Sequence, residues 1–463
     1  MISDNMGNKY TNNINKNKEQ KIEIKCINLN EFGQGVFKVN NEIKSANNLL
    51  PGESAIVSIN ADKCRVINLL NKSKKRVDVK CGAYNKCGSC HLLHMNYNEQ
   101  IKFKEEYVNN CFKQNNIKAN VKEIEKASIL EGYRNKMTVA YKYSDGKIVY
   151  GFYEEDTHRI VSNDYCFVHT KEQNEIVKAI GKIMTELHIS CYDEDKRKGL
   201  MRYAQVRFSR FTKEILVTLV TNGNVFPSRS EFIKRLRNTC PYITSIVQNI
   251  NSRKTSIILG DEEQVLYGRG YIEDEICGIK FNISSKTFFQ VNPYQVEVLY
   301  RKVSDYLELQ GNEVVLDAYC GVGTIGLSIA KNAKYVYGVE NNKQSVINAR
   351  TNASNNKIRN INFICADATD YIIEMTKMNA KLDCLIMDPP RTGSTEKFLY
   401  SVNKLAPKKI VYVSCEAKTL ARDLKILLDK YEIQNVGIVD MFIGTYHIET
   451  VCCLVKTDKT IRK

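Results

Sequence analysis

The spacing of apolar positions changes several times along the chain, and each change predicts a different kind of structure. Residues 1–18 are polar, rich in Asn and Lys and without any period, so they are expected to be disordered. From residue 19 to residue 78 the pattern becomes short alternating runs (KIEIKCINL, GVFKVN, SAIVSI, CRVINLL) broken by Gly33, Gly35 and the Pro51-Gly52 pair. Alternation on that scale predicts a small β-barrel. Residues 92–128 carry a helical stretch (NYNEQIKFKEEYVNNCFKQ) ahead of a short β pattern, part of it a candidate for packing on the C-terminal domain.

Alternation returns after Gly132 in NKMTVAYKY, KIVYGFY, AQVRFSRF, EILVTLVT, TSIVQNI and TSIILG, joined by turn pairs such as Asp145-Gly146 and Asn222-Gly223. With one helical segment at 171–187, this predicts a central, antiparallel-rich α/β domain over residues 79–284. At Ser285 the character changes once more. Asn292 is a suitable N-cap and Pro293 suits a first helical turn, so Gln290 lies just ahead of a helix. Strand and helix patterns then alternate through VVLDAY, YVYGVE, INFIC, LDCLIMDPPR, KIVYVSC, IVDMF and ETVCCLV. Residues 285–463 are thus expected to form a doubly wound, Rossmann-like sheet, making the chain an α/β protein.

The stretch Val314 to Glu340 is one β-turn-α-β unit whose turn holds Gly321, Gly323 and Gly326. Such sheets bind nucleoside-like ligands outside the carboxyl ends of their strands, where a carboxylate can accept from ribose hydroxyls. The spacing here is Asp-x-x-x-Gly-x-Gly, beginning at Asp317, and not the dinucleotide pattern G-x-G-x-x-G. That favours S-adenosylmethionine over NAD. The strand ends carry Asp317, Glu340, Asp367, Asp388 and Cys415, a concentration of polar groups that packing does not require.

Composition narrows the choice. The 463 residues carry a net charge of +16, which points to a polyanion such as nucleic acid. Arg134, Lys136, Arg202, Arg207, Arg210, Arg253 and Lys254 recur beside Tyr and Phe in the central segment, suiting phosphate contact plus base stacking. No apolar run suits a bilayer span or a signal peptide, so a cytoplasmic protein with no membrane partner is expected. In that compartment sixteen cysteines call for metal ligands or a nucleophile before disulfides.

Cys81, Cys87 and Cys90 stand at C-x5-C-x2-C. Cys87, Cys90 and His91 also spell the haem attachment pattern, but that chemistry needs an exported chain. A zinc site could recruit His91 or His94, and an iron-sulfur cluster could recruit a distant thiolate such as Cys166. Spacing alone leaves zinc and iron-sulfur open.

Two segments bear on the reaction. In DPPRTG, paired prolines stiffen the turn that follows Asp388, and Arg391 stands where methyltransferases acting on exocyclic amines carry an aromatic. In VYVSCEAKTLARDL, Cys415 falls where a strand meets a helix, whose N-terminus is expected to lower the thiol pKa.

DAYCGVGTIGL, DPPRTG, SCEAKTLARDL and IGTYHIETVCCL together resemble the RNA uracil-5-methyltransferase family. CGSCHLLHMNYNEQIKFKEE resembles its iron-sulfur-containing 23S ribosomal RNA branch, and the N-terminal barrel resembles a TRAM domain. The resemblance implies Cys415 as nucleophile and Glu449 as the base that removes the C5 proton. It implies Gln290, Tyr319, Glu340 and Asp388 as S-adenosylmethionine-binding residues, with Asp367 adjacent. It also implies Cys81, Cys87, Cys90 and Cys166 as ligands of a 4Fe-4S cluster, ribosomal RNA as partner, and a monomer as the default state. Thr324, where some members carry Asn, and IGTYHIET, where Pro-His is frequent, depart from the family pattern.

Overall fold

The computed structural model describes residues 20–60, 63–155 and 157–457; the expected disorder of residues 1–18 lies outside them. The chain divides into two compact units. The first takes the described residues up to Asp78 together with His91–Glu99, and the second takes Val79–Cys90 and everything from Gln100 onward.

In the first unit, β1 (Gln20–Lys25), β2 (Asn28–Leu29), β3 (Gly35–Val39), β4 (Glu42–Ala46), β5 (Ser54–Asn60) and β6 (Lys63–Leu69) make two three-stranded antiparallel sheets, β1-β5-β6 and β2-β3-β4. The run KIEIKCINL divides at Cys26, where the chain passes from one sheet to the other. Alternate residues such as Ile24, Phe37 and Val57 meet in one small core, as a strand period of two requires.

Helix α1 (Tyr97–Gln114) leads to β7 (Glu123–Glu125), and then a seven-stranded sheet begins. It uses β8 (Lys136–Ser144), β9 (Lys147–Tyr153), β10 (Ile160–Ser162), β11 (Met201–Phe208), β12 (Ile215–Thr221), β13 (Ser245–Ile250) and β14 (Glu262–Tyr267) in the order β10-β9-β8-β11-β12-β13-β14. All pairings are antiparallel except β12 with β13. Helix α2 (Lys171–Glu186) starts at a capping box in which Thr170 and Gln173 exchange side-chain and backbone bonds.

Two features differ from the sequence expectation. TSIILG is not a strand: Asn251 Nδ2 donates to the carbonyls of Ile257 (2.8 Å) and Ile258 (3.0 Å), occupying groups that a ladder would need. A second helix, α3 (Arg229–Thr239), was hidden because only Phe232 and Leu236 are buried, too thin an apolar stripe to show a period.

The C-terminal part opens with the hairpin β15 (Ile272–Ile276) and β16 (Ile279–Ile283), followed by α4 (Gln295–Leu307). The sequence expectation sets the N-cap at Asn292; the helix instead takes Tyr294 at that position, and Asn292 Oδ1 accepts from the N–H groups of Tyr294 and Gln295 in the turn just ahead of it. Next come β17 (Val314–Ala318), α5 (Thr324–Ile329), β18 (Tyr335–Glu340), α6 (Lys343–Asn355), β19 (Ile361–Cys365), α7 (Ala368–Lys377) and β20 (Cys384–Met387). The chain ends with α8 (Glu396–Leu405), β21 (Lys409–Ser414), α9 (Ala417–Leu427), β22 (Tyr431–Val439) and β23 (Glu449–Lys456).

The sheet order is β19-β18-β17-β20-β21-β23-β22-β7, so the winding reverses between β17 and β20. Ligands of open parallel sheets bind at such a reversal. Only β23 runs antiparallel to its neighbours. Apolar cores cover both faces; Val108, Cys111 and Phe112 of α1 join one of them, and β7 extends the far edge by pairing with β22. No helix among the described residues is long and apolar enough to cross a membrane.

Candidate active site

The parallel strands all end at one edge of the C-terminal sheet, and antiparallel β23 begins there. That arrangement brings Cys415 and Glu449 together from distant sequence. Ser414 pairs with Thr450 in the ladder between β21 and β23, so the next step outward sets Cys415 opposite Glu449. Both line a cavity of about 790 Å³, and so do Gln290, Tyr319, Glu340, Asp367 and Asp388. The seven residues that the family resemblance implies for cofactor or catalysis therefore line the same cleft, whereas Asp317, which starts the Asp-x-x-x-Gly-x-Gly spacing, does not.

Each wall has a local cause. After β17 the chain turns sharply: Gly323 has φ +83°, and a Cβ there would come within 2.5 Å of the Phe363 ring. Gly326 donates its N–H to Asp317 Oδ2 at 2.8 Å, and a Cβ at Gly326 would lie an equal 2.8 Å from that oxygen. Tyr319 holds a left-handed backbone (φ +64°) that a non-glycine residue adopts only under strain, and its hydroxyl bonds Ser394 Oγ at 2.7 Å. Thr324, the departure from the family pattern, is engaged by the Tyr300 hydroxyl at 2.7 Å.

Glu340 closes β18 with both oxygens held by backbone N–H groups, Gly321 on one (3.1 Å) and Asn342 on the other (2.8 Å). A carboxylate fixed in this way at a cleft wall is a ready acceptor for a ribose diol. Asp367 caps α7 through Thr369 and Asp370. Gln290 is held through its backbone, whose carbonyl accepts from Asn135 Nδ2 at 3.0 Å. A backbone turn admitting close approach, an acceptor for ribose and an adjoining apolar face are what S-adenosylmethionine needs, and the residues present fit it.

The electrostatics of the catalytic end overturn one expectation. The Cys415 thiol is not lowered by the helix behind it; burial and the nearby Glu449 and Asp388 carboxyls push it up to about 12, against the pull of Arg391. Cys415 also stands one residue ahead of the α9 N-cap, Glu416, so the cap and not the thiol meets the helix end. Burial likewise raises the Asp388 and Glu449 carboxyls, and Asp388 lifts Glu449 further. Glu449 is only 4% exposed.

Arg391 is the residue whose role the sequence concealed. Read there only as the absence of an aromatic, it supplies a hydrogen bond and a positive charge to Cys415 and a positive charge to Glu449. Its loop is laced to α9: Thr419 Oγ1 donates to Arg391 O (3.1 Å), Arg422 to Thr392 O (2.9 Å), and Ser394 N to Asp423 Oδ2 (2.7 Å). Phe288 was also passed over; 68% exposed at the cleft, beside buried Phe289, it is the accessible half of the pair in TFFQ.

The four cysteines assigned to a cluster gather as well. The Cys90 thiol is raised by burial and then by Cys166, Cys87 and Cys81, and Cys166 is pushed to about 12 by burial with Cys87 and Cys81. They do not converge on a point: among the described residues, no group of three His, Cys, Asp or Glu side chains is arranged to hold a metal ion. The Arg134 guanidinium acts on Cys87, Cys90 and Cys166, and its Nε is buried with no hydrogen-bond partner among the described residues. Among the other expected RNA contacts, Arg202 and Arg207 are buried and spent internally, on Asn251 O and Glu194 and on Ser285 O and Thr287 O.

Comparison with known proteins adds independent findings. A family model described as tRNA (Uracil-5-)-methyltransferase matches residues 96–457. An uncharacterized RNA methyltransferase of Halalkalibacterium halodurans is 37% identical over 95% of this chain and 97% of its own length. One from Listeria monocytogenes is 40% identical over 94% of this chain and 98% of its own. Among solved structures, the Pyrococcus abyssi tRNA (uracil-54, C5)-methyltransferase in complex with S-adenosyl-L-homocysteine superposes with a TM-score of 0.78 at 29% identity, over 93% of this chain and 99% of that one.

Proposed function

This chain belongs to the RNA uracil-5-methyltransferase family and is an S-adenosylmethionine-dependent RNA (uracil-5-)-methyltransferase; from that premise we propose that it methylates a uridine of 23S ribosomal RNA through a covalent bond between Cys415 and C6. The observation that carries the mechanism is the ladder register that sets Cys415 opposite Glu449 inside the cleft.

Uracil C5 is too weak a nucleophile to take a methyl group unaided, so a thiolate must first add at C6. Cys415 Sγ gives its proton to solvent water and, as the thiolate, forms the S–C6 bond; the C5=C6 pair shifts toward C5 and the C4 oxygen. S-adenosylmethionine supplies the methyl group as an electrophile on its sulfonium. Glu449 then takes the C5 proton, the electrons left behind rebuild C5=C6, and the S–C6 pair returns to Cys415. Arg391 favours both ionised forms, the thiolate before addition and the Glu449 carboxylate before proton removal. Gln290, Tyr319, Glu340 and Asp388, with Asp367 beside them, bind the cofactor in this reading. Burial and the Glu449 and Asp388 carboxyls favour the protonated thiol, and Arg391 acts against them.

The proposal of ribosomal RNA as substrate rests on the family resemblance of the rest of the chain. Residues 19–78, read as a TRAM-like module, and the central residues 79–284 contact RNA around the flipped uridine, while 285–463 carry the chemistry. Cys81, Cys87, Cys90 and Cys166 would hold a 4Fe-4S cluster whose contribution is to clamp loops, since methyl transfer consumes no electron. The barrel and the cysteine set favour ribosomal over transfer RNA. Action on ribosomal RNA puts the enzyme in the cytoplasm, and one complete cleft per chain is consistent with a monomer.

The second reading is a transfer RNA substrate, which the name of the Pyrococcus abyssi structure favours. Mapping 5-methyluridine in total RNA from a deletion strain separates the two. Loss from 23S ribosomal RNA with transfer RNA unchanged is expected; loss from transfer RNA alone supports the second reading.

A further inference from the structure

Asp440 to Gly444 leave the end of β22 and lead to Glu449 along a buried path. Side chains from separate parts of the chain hold the backbone of this strap almost residue by residue. Asn292 Nδ2 donates to Met441 O (3.1 Å), Lys104 Nζ to Phe442 O (3.0 Å) and the Tyr133 hydroxyl to Ile443 O (2.9 Å), while Gly444 N donates to Gln100 Oε1 (3.0 Å). Lys104 also reaches Asp440 Oδ1 at 2.6 Å, and both side chains are 0% exposed.

A fully buried ion pair is a poor way to stabilise a fold, because desolvating both charges offsets their attraction and an apolar pair of similar volume commonly serves as well. Lys104 lies on α1, far in sequence from Cys415 and Glu449, and is not itself among the residues that line the cleft. What it does touch is the segment that carries Phe442 into the cleft and delivers Glu449 to its mouth. Cys415 is fixed separately, by β21 and the start of α9.

We propose that Lys104, with Gln100 one turn before it, is a positioning residue that holds Asp440–Gly444 so that the Glu449 carboxylate meets the C5 proton. This rests on the covalent mechanism above. It concerns one step: Glu449 takes the proton, C5=C6 re-forms, and the S–C6 electrons return to Cys415. Loosening the strap leaves addition and methyl transfer in place and delays that step. The enzyme then stays bonded to RNA that is already methylated.

The test is a single-turnover experiment with the full-length protein, S-adenosylmethionine and substrate RNA, following methylated RNA and denaturant-stable protein-RNA adduct separately. For Lys104→Met, release is expected to slow about tenfold or more while the methyl transfer rate stays near wild type, so the adduct accumulates. Lys104→Arg keeps the charge and both acceptors in reach and restores release. Because Lys104→Met alone strands Asp440, the double variant Lys104→Met/Asp440→Leu and the neutral Gln100→Met are measured beside it, with Tm as the control for folding. Wild-type release from folded Lys104→Met, Lys104→Met/Asp440→Leu or Gln100→Met overturns the proposal, as does equal slowing of transfer and release. Failure of the underlying mechanism looks different: Cys415→Ala would still methylate, or wild-type enzyme would form no adduct with 5-fluorouridine RNA.

Discussion

The strand-end cleft and the four-cysteine region solve the same problem, gathering reactive groups from distant sequence, by different means. In the cleft, Asp388 and Cys415 directly follow parallel strands, and Glu449 begins the one antiparallel strand beside them. Ladder register fixes their spacing before any side chain is considered. In the cysteine region Cys81, Cys87, Cys90 and Cys166 lie outside the strands, gather beside Arg134, and stop short of a single-ion geometry. Backbone hydrogen bonding preorganises the first site; the second has thiols and the Arg134 guanidinium close enough to act on one another, with no backbone ladder to fix their spacing.

The sharpest way to break this contrast is at the nucleophile. Cys415→Ala is expected to lower methylation by about 10⁴-fold or more in a folded protein, measured as label transferred from S-adenosylmethionine. Glu449→Gln is expected to slow turnover by about 10² to 10⁴-fold, with methylated RNA held on the enzyme. Cys90→Ser inverts the pattern: we expect loss of iron and about 4 kcal/mol of stability, with methylation per folded molecule retained. A Cys90→Ser protein that folds normally but cannot methylate would erase the distinction between the two sites.

The smallest effect concerns pH. Glu449 is buried against Asp388, Arg391 and Cys415, and its carboxyl is raised on folding. A carboxyl so raised binds its proton more tightly in the folded chain, so its contribution is complete below the unfolded value and is lost as pH climbs through the folded one. Glu449→Gln removes that loss. Its thermal stability is expected to exceed wild type at mildly alkaline pH, with the advantage shrinking as the pH is lowered, measured as Tm across a pH series.

The same contrast explains what could be read from the sequence. Strand period and terminal residues disclosed the C-terminal sheet, and the family resemblance pointed to seven of the residues that line the cleft, while Arg391 and Phe288 in the same lining went unread. Thin or locally diverted signals failed: α3 buries only Phe232 and Leu236, and TSIILG loses its ladder to Asn251. Electrostatics failed too, because the Cys415 shift comes from burial first and then from Glu449 and Asp388, none of which a local window shows. Arg202 and Arg207 looked like RNA contacts until burial showed them spent on carbonyls inside the protein. Lys104 gave no sign at all, since its partner Asp440 is far along the chain.

The central claim is that Cys415 bonds to the uracil ring. Enzyme incubated with S-adenosylmethionine and substrate RNA carrying 5-fluorouridine at the target has no C5 proton to surrender, so the adduct is trapped and can be digested for peptide mass spectrometry. We predict a methylated fluorouracil nucleotide on the peptide containing Cys415. A nucleotide on any other cysteine, or none while unsubstituted RNA is turned over normally, would contradict the account.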